Sequence, residues 1–299
     1  MTRLIGDTPM IRLYEIEKRF ELKCRILAKC EYMNTGGSVK DRVAHAMLQD
    51  AKKRGMLEKG YTVAEATSGN TGVALAMLSA KYGYRAKIFM PESASHERIS
   101  LIRAYGGEVI LTDGELGMRG AIDEMNKWCI GKASIYIPDQ FKNPVCVKCH
   151  YQTTAPEIWH DSDGDMDYFV CGVGTGATLI GVAKFLKQKG NAKIVALEPK
   201  SSAVLSGGAA GKHGIEGIGA GFVPRLYDAP LVDEIVSISE EEAVEMVREL
   251  AMHEGVLTGI SSGANLAAAV KIGRKTHGQI VTLLSDRGER YFSRGIFHS

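Results

Sequence analysis

The chain alternates between short apolar runs and longer segments in which apolar residues recur every three or four positions. The runs predict buried β-strands, and the periodic segments predict amphipathic helices. The predicted strands are CRILAKCEY, YTVAEA, AKIFMP, GEVILTD, SIYIPDQ, DYFVCGV, KIVALEP and QIVTLLSD. The predicted helices are VAHAMLQDAKKRGML, VALAMLSAKYG, SASHERISLIRAYG, GMRGAIDEMNKW, HYQTTAPEIWHD, LIGVAKFLKQKG, SEEEAVEMVRELAMHEG and SSGANLAAAVKIGRK. This alternation predicts an α/β fold whose mainly parallel sheets are covered by helices.

The alternating pattern runs twice, with a division near residue 145. A chain of 299 residues is long enough for two domains of about 150 residues each. We therefore expect two α/β domains, with ligands bound where strands lead into helices, at the carboxyl ends of the strands.

Composition and charge narrow the possible partners. The chain is 45% hydrophobic and 24% charged, and its net charge is +2 without a basic tail or stripe. That balance gives no support to nucleic-acid or membrane-surface binding. The sequence contains no apolar stretch of about 18 residues, so no transmembrane helix is expected. The N-terminal MTRLIGDTPMIRL lacks the apolar core of a signal peptide, and we expect a cytoplasmic protein.

The six cysteines are scattered, and their density is too low for a disulfide scaffold. Cys146 and Cys149 form one CxxC pair in NPVCVKCH. A single pair does not complete a zinc site, and no second pair follows, so no metal site is predicted. A redox pair is one interpretation of these two residues, and free thiols are the other.

Lys40 lies in the stretch NTGGSVKDR, between a strand-like run and a helix-like run. Ser38 and Asp41 have the spacing of a capping box, which predicts that the helix starts here. Lys40 then falls in the first turn, where the partial positive charge of the helix disfavours an ammonium group. A neutral amine is a nucleophile that forms Schiff bases with carbonyl compounds. The alternative interpretation is a solvated surface lysine.

A second loop, TSGNTG, spans residues 67–72 between the strand YTVAEA and the next helix. Its hydroxyl groups, its amide and the N–H groups of a helix start would bind a carboxylate. The alternative is an ordinary helix start in which Ser68 or Asn70 is the cap.

Two further loops have the same position before a helix. The stretch GVGTGAT, residues 172–178, suits a phosphate because glycines let the backbone approach an anion closely. It is not a Walker loop, but it also permits a nicotinamide dinucleotide site with Glu198 as the ribose-binding acid. The stretch GISSGAN, residues 259–265, is either a further binding loop or a serine-capped helix start.

Taken in order, GGSVKDR, TSGNTG, GTGAT and GISSGA resemble the fold-type II pyridoxal-phosphate enzymes, and within them the cysteine synthase (O-acetylserine sulfhydrylase) and cystathionine β-synthase group. Supporting stretches include LIGDTPMIRL, FMPESASHERISLIRAYGGEVILT, QFKNP, HYQTTAPEIW, EGIGAGFVP and RGERYFS. The resemblance implies a tryptophan synthase β-like fold of two doubly wound α/β domains. The N-terminal domain would span residues 13–145 and include a mobile substrate-binding subdomain. The C-terminal domain would span residues 1–12 and 146–299 and bind the cofactor phosphate.

The resemblance implies pyridoxal 5′-phosphate as the cofactor. Lys40 matches the lysine that forms a Schiff base with it, Asn70 matches the residue that hydrogen-bonds its 3′-oxygen, and Ser261 matches the hydroxyl that faces its pyridine nitrogen. Its phosphate would be bound by Gly174, Thr175, Gly176, Ala177 and Thr178, where Ala177 replaces the usual glycine. The substrate-binding residues would be Thr67, Ser68, Gly69, Asn70, Thr71, Gln140 and Gly217, most of them for the α-carboxylate.

The activity implied by the resemblance is β-replacement on a serine derivative, with O-acetyl-L-serine and sulfide giving L-cysteine and acetate. Lys40 would also act as the general base. Three other substrate pairs stay open: homocysteine as the nucleophile, cysteine as a first substrate that releases sulfide, and O-phosphoserine with an amine. The stretches NPVCVKCH and SDRGERY depart from the usual NPAN and PDSGERY. The resemblance also implies a homodimer, and the presence of Lys40, Asn70 and Ser261 disfavours a catalytically silent relative.

Overall fold

The computed structural model describes residues 4–297. Residues 1–3 and 298–299, which the domain prediction includes, lie outside the described residues. The strands are β1 (Met10–Arg12), β2 (Arg25–Cys30), β3 (Thr62–Ala66), β4 (Arg85–Pro91), β5 (Glu108–Thr112), β6 (Ile135–Tyr136), β7 (Tyr168–Gly172), β8 (Lys193–Pro199), β9 (Glu234–Ile238) and β10 (Gln279–Leu284). The helices are α1 (Tyr14–Arg19), α2 (Lys40–Lys53), α3 (Asn70–Tyr82), α4 (His96–Ala104), α5 (Gly117–Cys129), α6 (Val145–Gln152), α7 (Thr154–Asp161), α8 (Ala177–Lys189), α9 (Glu240–His253) and α10 (Ile260–Gly273). Among these helices, none is both long enough and apolar enough to span a bilayer.

Contacts along the described chain group it into two units. The first unit contains the residues up to Val39 and those from Cys146 onward, and the second is Lys40–Val145. Strand β2 is hydrogen-bonded in parallel to β10 along its whole length. This pairing places residues 13–39 in the first unit, whereas the sequence analysis assigned them to the N-terminal domain.

The first unit contains a six-stranded sheet with the order β1-β2-β10-β7-β8-β9. Strand β1 is antiparallel to β2, and the other neighbours are parallel. All residues of β10 are buried, as expected for a strand covered on both faces. Helix α10 is buried almost all round because its sequence, ISSGANLAAAVKIG, has small or apolar residues on every face.

The second unit contains a four-stranded sheet with the order β5-β4-β3-β6, and all its pairs are parallel. All residues of β3 are buried. Ala64 and Ala66 pack with Phe89, Ala121 and Met125 in one apolar cluster, which fixes the side of β3 that faces α5. Because side chains alternate along a strand, Glu65 points to the opposite side.

The predicted α/β fold with mainly parallel sheets is confirmed, and the differences are local. The predicted strand SIYIPDQ shrinks to Ile135–Tyr136, since Pro138 has no N–H to donate to a ladder and Asp139 has a φ of 49°. The predicted helix HYQTTAPEIWHD is two helices that break at Thr153, whose φ is −125° and ψ is −71°. Pro156 lies in the first turn of α7, where a missing N–H costs little. Strands β1 and β9 and helix α1 were not predicted.

The contact between α9 and α10 depends on Gly263. A Cβ atom at this position would lie 2.1 Å from the carbonyl oxygen of Ala243 and 2.6 Å from Cγ2 of Val247. The two helix backbones therefore approach each other at a point where there is no room for a side chain.

We predict that Gly263→Ala lowers the stability of the first unit by about 1–3 kcal/mol, because the added methyl group forces α9 and α10 apart. The measurement is the midpoint of thermal and urea unfolding. Gly190→Ala is the matched control, since its Cβ would have its nearest neighbour, an atom of Trp159, at 4.0 Å. Equal midpoints for the two variants would contradict the close contact at Gly263.

Candidate active site

The segment that leads into Lys40 is fixed within the first unit. Gly37 has a φ of +81°, and a Cβ there would lie 2.8 Å from Nη2 of Arg290, so a glycine is required. The backbone N–H of Val39 donates to the carbonyl of Ser285 at 2.9 Å. Helix α2 then begins at Lys40, which is half-buried. The sequence prediction that Lys40 occupies the first turn of a helix is therefore correct.

The TSGNTG loop forms the start of α3 in the second unit. Its N-cap residue is Gly69, which has no side chain to cap the helix, and the first turn of α3 carries no acidic residue. The alternative interpretation, with Ser68 or Asn70 as the cap, does not hold. Helix starts of this kind leave backbone N–H groups to bind an anion.

Gln140 is brought to the same helix start from a distant part of the sequence. The hydroxyl of Thr71 donates to Oε1 of Gln140 at 2.6 Å, and both side chains are buried. The side-chain nitrogen of Gln140 is thereby left as a donor. Thr67 is also buried, and its Oγ1 accepts from the N–H of Gly69 at 3.2 Å. Among the residues predicted to bind a carboxylate, the structure thus brings Gln140 to Thr71 and Thr67 to Gly69.

Glu65, two residues before this loop, is a buried acid that the sequence analysis did not single out. Burial and, to a smaller extent, the negative charge of Asp139 raise the pKa of its carboxyl group, and backbone N–H groups of Asp139, Gln140 and Ala66 lower it. The net effect is a pKa of about 8. Its Oε2 atom is buried and has no hydrogen-bond partner among residues 4–297. The available signal was a single acidic residue inside an otherwise uncharged strand.

The GTGAT loop joins β7 to α8 in the first unit. A Cβ at Gly174 would lie 2.3 Å from the carbonyl oxygen of Gly217, so that position has no room for a side chain. Gly176 is the N-cap with a φ of +83°, and as a glycine it has no side chain to cap α8. The N–H of Ala177 is 3.4 Å from Oγ1 of Thr175. The loop therefore has the form of an anion cradle.

Gly217 and Ser261 lie next to each other in the first unit. A Cβ at Gly217, whose φ is +97°, would lie 3.5 Å from Oγ of Ser261. Ser261 is buried in the first turn of α10, and Gly259 is the N-cap, again without a capping side chain in the part of the chain described. Gly174, Gly217 and Ser261 are therefore neighbours, and the serine-cap interpretation of this loop does not hold.

His150 connects the cradle to helices α6 and α7 and was not singled out from the sequence. Its Nδ1 is 2.8 Å from Oγ1 of Thr154, and its Nε2 is 3.1 Å from Oγ1 of Thr178. The imidazole is buried, so it holds Thr178 in place at the start of α8. A lone histidine in a helix gives no sequence signal for such a contact.

Glu198 is not placed to serve a dinucleotide site, and the cysteines agree with the free-thiol interpretation. Glu198 is buried and accepts hydrogen bonds from the N–H of Leu205 at 2.7 Å and the hydroxyl of Ser206 at 2.5 Å, so it is not available to a ribose. All six cysteines lie in the described chain and are free thiols, and Cys146 and Cys149 are buried. Within residues 4–297 no cluster of histidine, cysteine or acidic residues suits a metal ion.

Comparison with known proteins places these loops in one family. The family model described as pyridoxal-phosphate dependent enzyme matches residues 1–286. Cysteine synthase A of Escherichia coli (strain K12) is 44% identical over 306 aligned positions, which cover 98% of this chain and 93% of the relative.

Two solved structures share the fold over almost the whole chain. Cysteine synthase (OASS) from Entamoeba histolytica superimposes with a TM-score of 0.94 at 42% identity and covers 99% of this chain and 90% of its own. A hydrogen sulfide-producing enzyme from Fusobacterium nucleatum has a TM-score of 0.93 at 43% identity and covers 97% of this chain and 98% of its own. Because both the family model and these relatives extend over nearly its full length, the chain belongs to the pyridoxal-phosphate-dependent enzyme family and takes pyridoxal 5′-phosphate as its cofactor.

Proposed function

We propose that this enzyme catalyses β-replacement on a serine derivative, and that its reaction is that of a cysteine synthase. O-acetyl-L-serine and hydrogen sulfide would give L-cysteine and acetate. The observation that carries the proposal is the carboxylate receptor at the start of α3, where Thr71 orients Gln140. That receptor suits a substrate with a free α-carboxylate, and the full-length likeness to cysteine synthases supports the choice of the acetyl ester and sulfide.

The residues of the first unit fit the phosphate of the cofactor. The cradle around Gly174 and Gly176 leaves no space for a Cβ at Gly174, and the start of α8, whose N-cap is a glycine, supplies N–H donors for an anion. Gly174–Thr178 would hold the phosphate and Ser261 the pyridine nitrogen, while Asn70 would hold the 3′-oxygen and Lys40 the aldehyde carbon. When bound, pyridoxal phosphate supplies an electron sink that stabilises negative charge on the α-carbon of the substrate.

Lys40 is the proposed general base. Its amine takes the α-proton of the substrate, the bond between the β-carbon and the acetate oxygen breaks, and the electron pair leaves with acetate. A bond then forms between the sulfide sulfur and the β-carbon, and Lys40 returns the proton to the α-carbon. Ser261 offers a neutral hydroxyl where an acidic residue would strengthen the electron sink, which favours β-elimination over transamination.

A second candidate activity uses L-cysteine as the first substrate, so that sulfide is the group released. The likeness that favours it is the hydrogen sulfide-producing enzyme from Fusobacterium nucleatum, which is 43% identical to this chain. Both activities need the same α-carboxylate receptor and the same base, and they differ in the leaving group. We further propose a homodimer in the cytoplasm, and of these two features the homodimer rests on the sequence resemblance alone.

The first prediction from the proposed function concerns Lys40. Borohydride treatment of the yellow holoenzyme should fix the cofactor on the peptide that contains Lys40, because reduction makes a Schiff-base bond permanent. Lys40→Ala should lower turnover by about a thousandfold or more, since the base is lost. Lys53→Ala, an exposed lysine at the other end of α2, is the matched control and should keep its activity. Label on another lysine would refute the assignment.

The second prediction concerns the cradle. Gly174→Ala should weaken binding of pyridoxal phosphate by about tenfold or more, because the added methyl group displaces the backbone that surrounds the phosphate. Titration of the apoenzyme with the cofactor, followed by absorbance, measures this. Ala177→Gly is the control and should bind normally, since it removes a methyl group from the same loop. Normal affinity in Gly174→Ala would show that the phosphate lies elsewhere.

The third prediction separates the candidate activities. O-acetylserine, O-phosphoserine, serine and cysteine are each combined with sulfide, homocysteine and an amine, and the products are identified by mass. We expect O-acetylserine with sulfide to have the highest kcat/KM. A preference for cysteine with release of sulfide would favour the second candidate, and turnover of none of these pairs would overturn β-replacement.

A further inference from the structure

Glu65 is a buried carboxyl group to which the proposed mechanism assigns no role. It lies in β3, is 4% exposed, and the charge that acts on it is the like charge of Asp139. Burying an acid beside another acid costs free energy, so its presence two residues before Thr67 needs a compensating interaction. Backbone hydrogen bonds from Asp139 and Gln140 to the Glu65 carboxyl group provide one.

The turn that donates these bonds has a strained backbone. Asp139 has a φ of 49°, which non-glycine residues rarely adopt. Its carbonyl accepts from the N–H groups of Lys142 at 3.0 Å and Asn143 at 2.9 Å, and the Asn143 side chain donates to the carbonyl of Pro138 at 2.9 Å. Hydrogen bonds on both sides of the turn stabilise the unfavourable backbone conformation of Asp139, and on the buried side the acceptor is the carboxyl group of Glu65.

The turn sets the position of the Gln140 side chain. Thr71 occupies Oε1 of Gln140 at 2.6 Å, so the amide nitrogen is the group that remains to bind a carboxylate. Thr71 thus fixes the orientation of the amide group of Gln140, and the backbone of the turn fixes the position of the Gln140 Cα atom from which the side chain extends. A small shift of that backbone would misalign both contacts.

We propose that Glu65 is a positioning residue of the α-carboxylate subsite, which locks the Asp139–Gln140 turn so that the amide of Gln140 is presented to the substrate. This inference rests on the proposed function, since it assumes that an α-carboxylate binds at the start of α3. Glu65 itself touches no substrate, because its Oε2 atom is buried within the described structure.

The charge state of Glu65 links this subsite to pH. Burial and Asp139 raise the pKa of Glu65 to about 8, so the group carries its proton near neutral pH and adds no negative charge beside the bound carboxylate. Around Glu65, the carboxylate of Asp139 forms an ion pair with Lys142 at 3.3 Å. The neighbouring strand β4 places the uncharged Ile88 opposite Glu65, and the side of β3 that faces α5 is apolar. Above about pH 8 the ionised Glu65 repels the substrate carboxylate.

The raised pKa also has a consequence for stability. In the unfolded chain Glu65 ionises near its ordinary value of 4.5, whereas in the folded chain it keeps its proton up to about 8. Its contribution to stability is therefore complete below pH 4.5 and is lost as the pH rises to about 8. Glu65→Gln, which is always neutral, should lack this loss.

The test compares Glu65→Gln and Glu65→Ala with Glu108→Gln and Glu108→Ala, since Glu108 is an exposed acid in β5 of the same sheet. For Glu65→Ala we expect KM for the amino-acid substrate to rise about tenfold or more, with kcat nearly unchanged. Glu65→Gln accepts the same backbone bonds and should keep its KM at about pH 7. The ratio of the KM of the unaltered enzyme to the KM of Glu65→Gln should then increase from about pH 7 to about pH 9, because only the unaltered enzyme gains a negative charge at position 65.

Hydrogen exchange gives a readout that does not need turnover. Amide exchange in the peptide that contains Asp139 and Gln140 should accelerate in Glu65→Ala and stay slow in Glu65→Gln and both Glu108 variants. If exchange responds in this way but no substrate pair turns over, the proposed function fails while the role of Glu65 in the turn stands.

Three results would overturn the role of Glu65. One is unchanged exchange in Glu65→Ala, and another is a KM no higher than that of Glu108→Ala. The third is a loss of kcat at constant KM, which would place Glu65 in the chemical steps instead. If Glu65→Ala does not fold, the test rests on Glu65→Gln, through its amide exchange and through the ratio of the KM of the unaltered enzyme to its own KM. A ratio that does not change with pH would contradict the proposal.

Discussion

The binding loops of this enzyme depend on helix starts that lack capping side chains. Helices α3, α8 and α10 have Gly69, Gly176 and Gly259 as their N-cap residues, and a glycine has no side chain to accept from the first N–H groups. Helix α9, whose start is not one of the predicted binding loops, has a complete capping box of Ser239 and Glu242. A missing cap costs about 1 kcal/mol, and a bound anion supplies the acceptors that the chain omits. The first N–H groups of these helices therefore lower the stability of the ligand-free fold and give it affinity for anions.

Close backbone contacts set which positions in these loops tolerate change. Gly174 has no room for a methyl group because the carbonyl of Gly217 lies against it. Ala177, where the resemblance described in the sequence analysis implies a glycine, is already the first residue of α8, and a helix favours alanine over glycine. The departure from the family pattern thus falls at the position where backbone geometry permits a side chain.

The sequence was most informative where a local pattern determines the structure. The spacing around Lys40 and the glycine loops depends on neighbouring residues, and those elements are found where they were predicted. The break at Thr153 and the short β6 depend on how the chain packs, which periodicity does not report. Glu65 and His150 act on groups far away in the sequence, so one sequence gives no sign of their contacts.

Helix starts that lack capping side chains also affect how the protein behaves in solution. Any small oxyanion at high concentration, such as inorganic phosphate or sulfate, competes for the same donors as the natural ligands. Ligands that bind only the folded chain raise its stability in proportion to the logarithm of their concentration. The melting temperature of a purified sample therefore reports the choice of buffer as well as the amino-acid sequence.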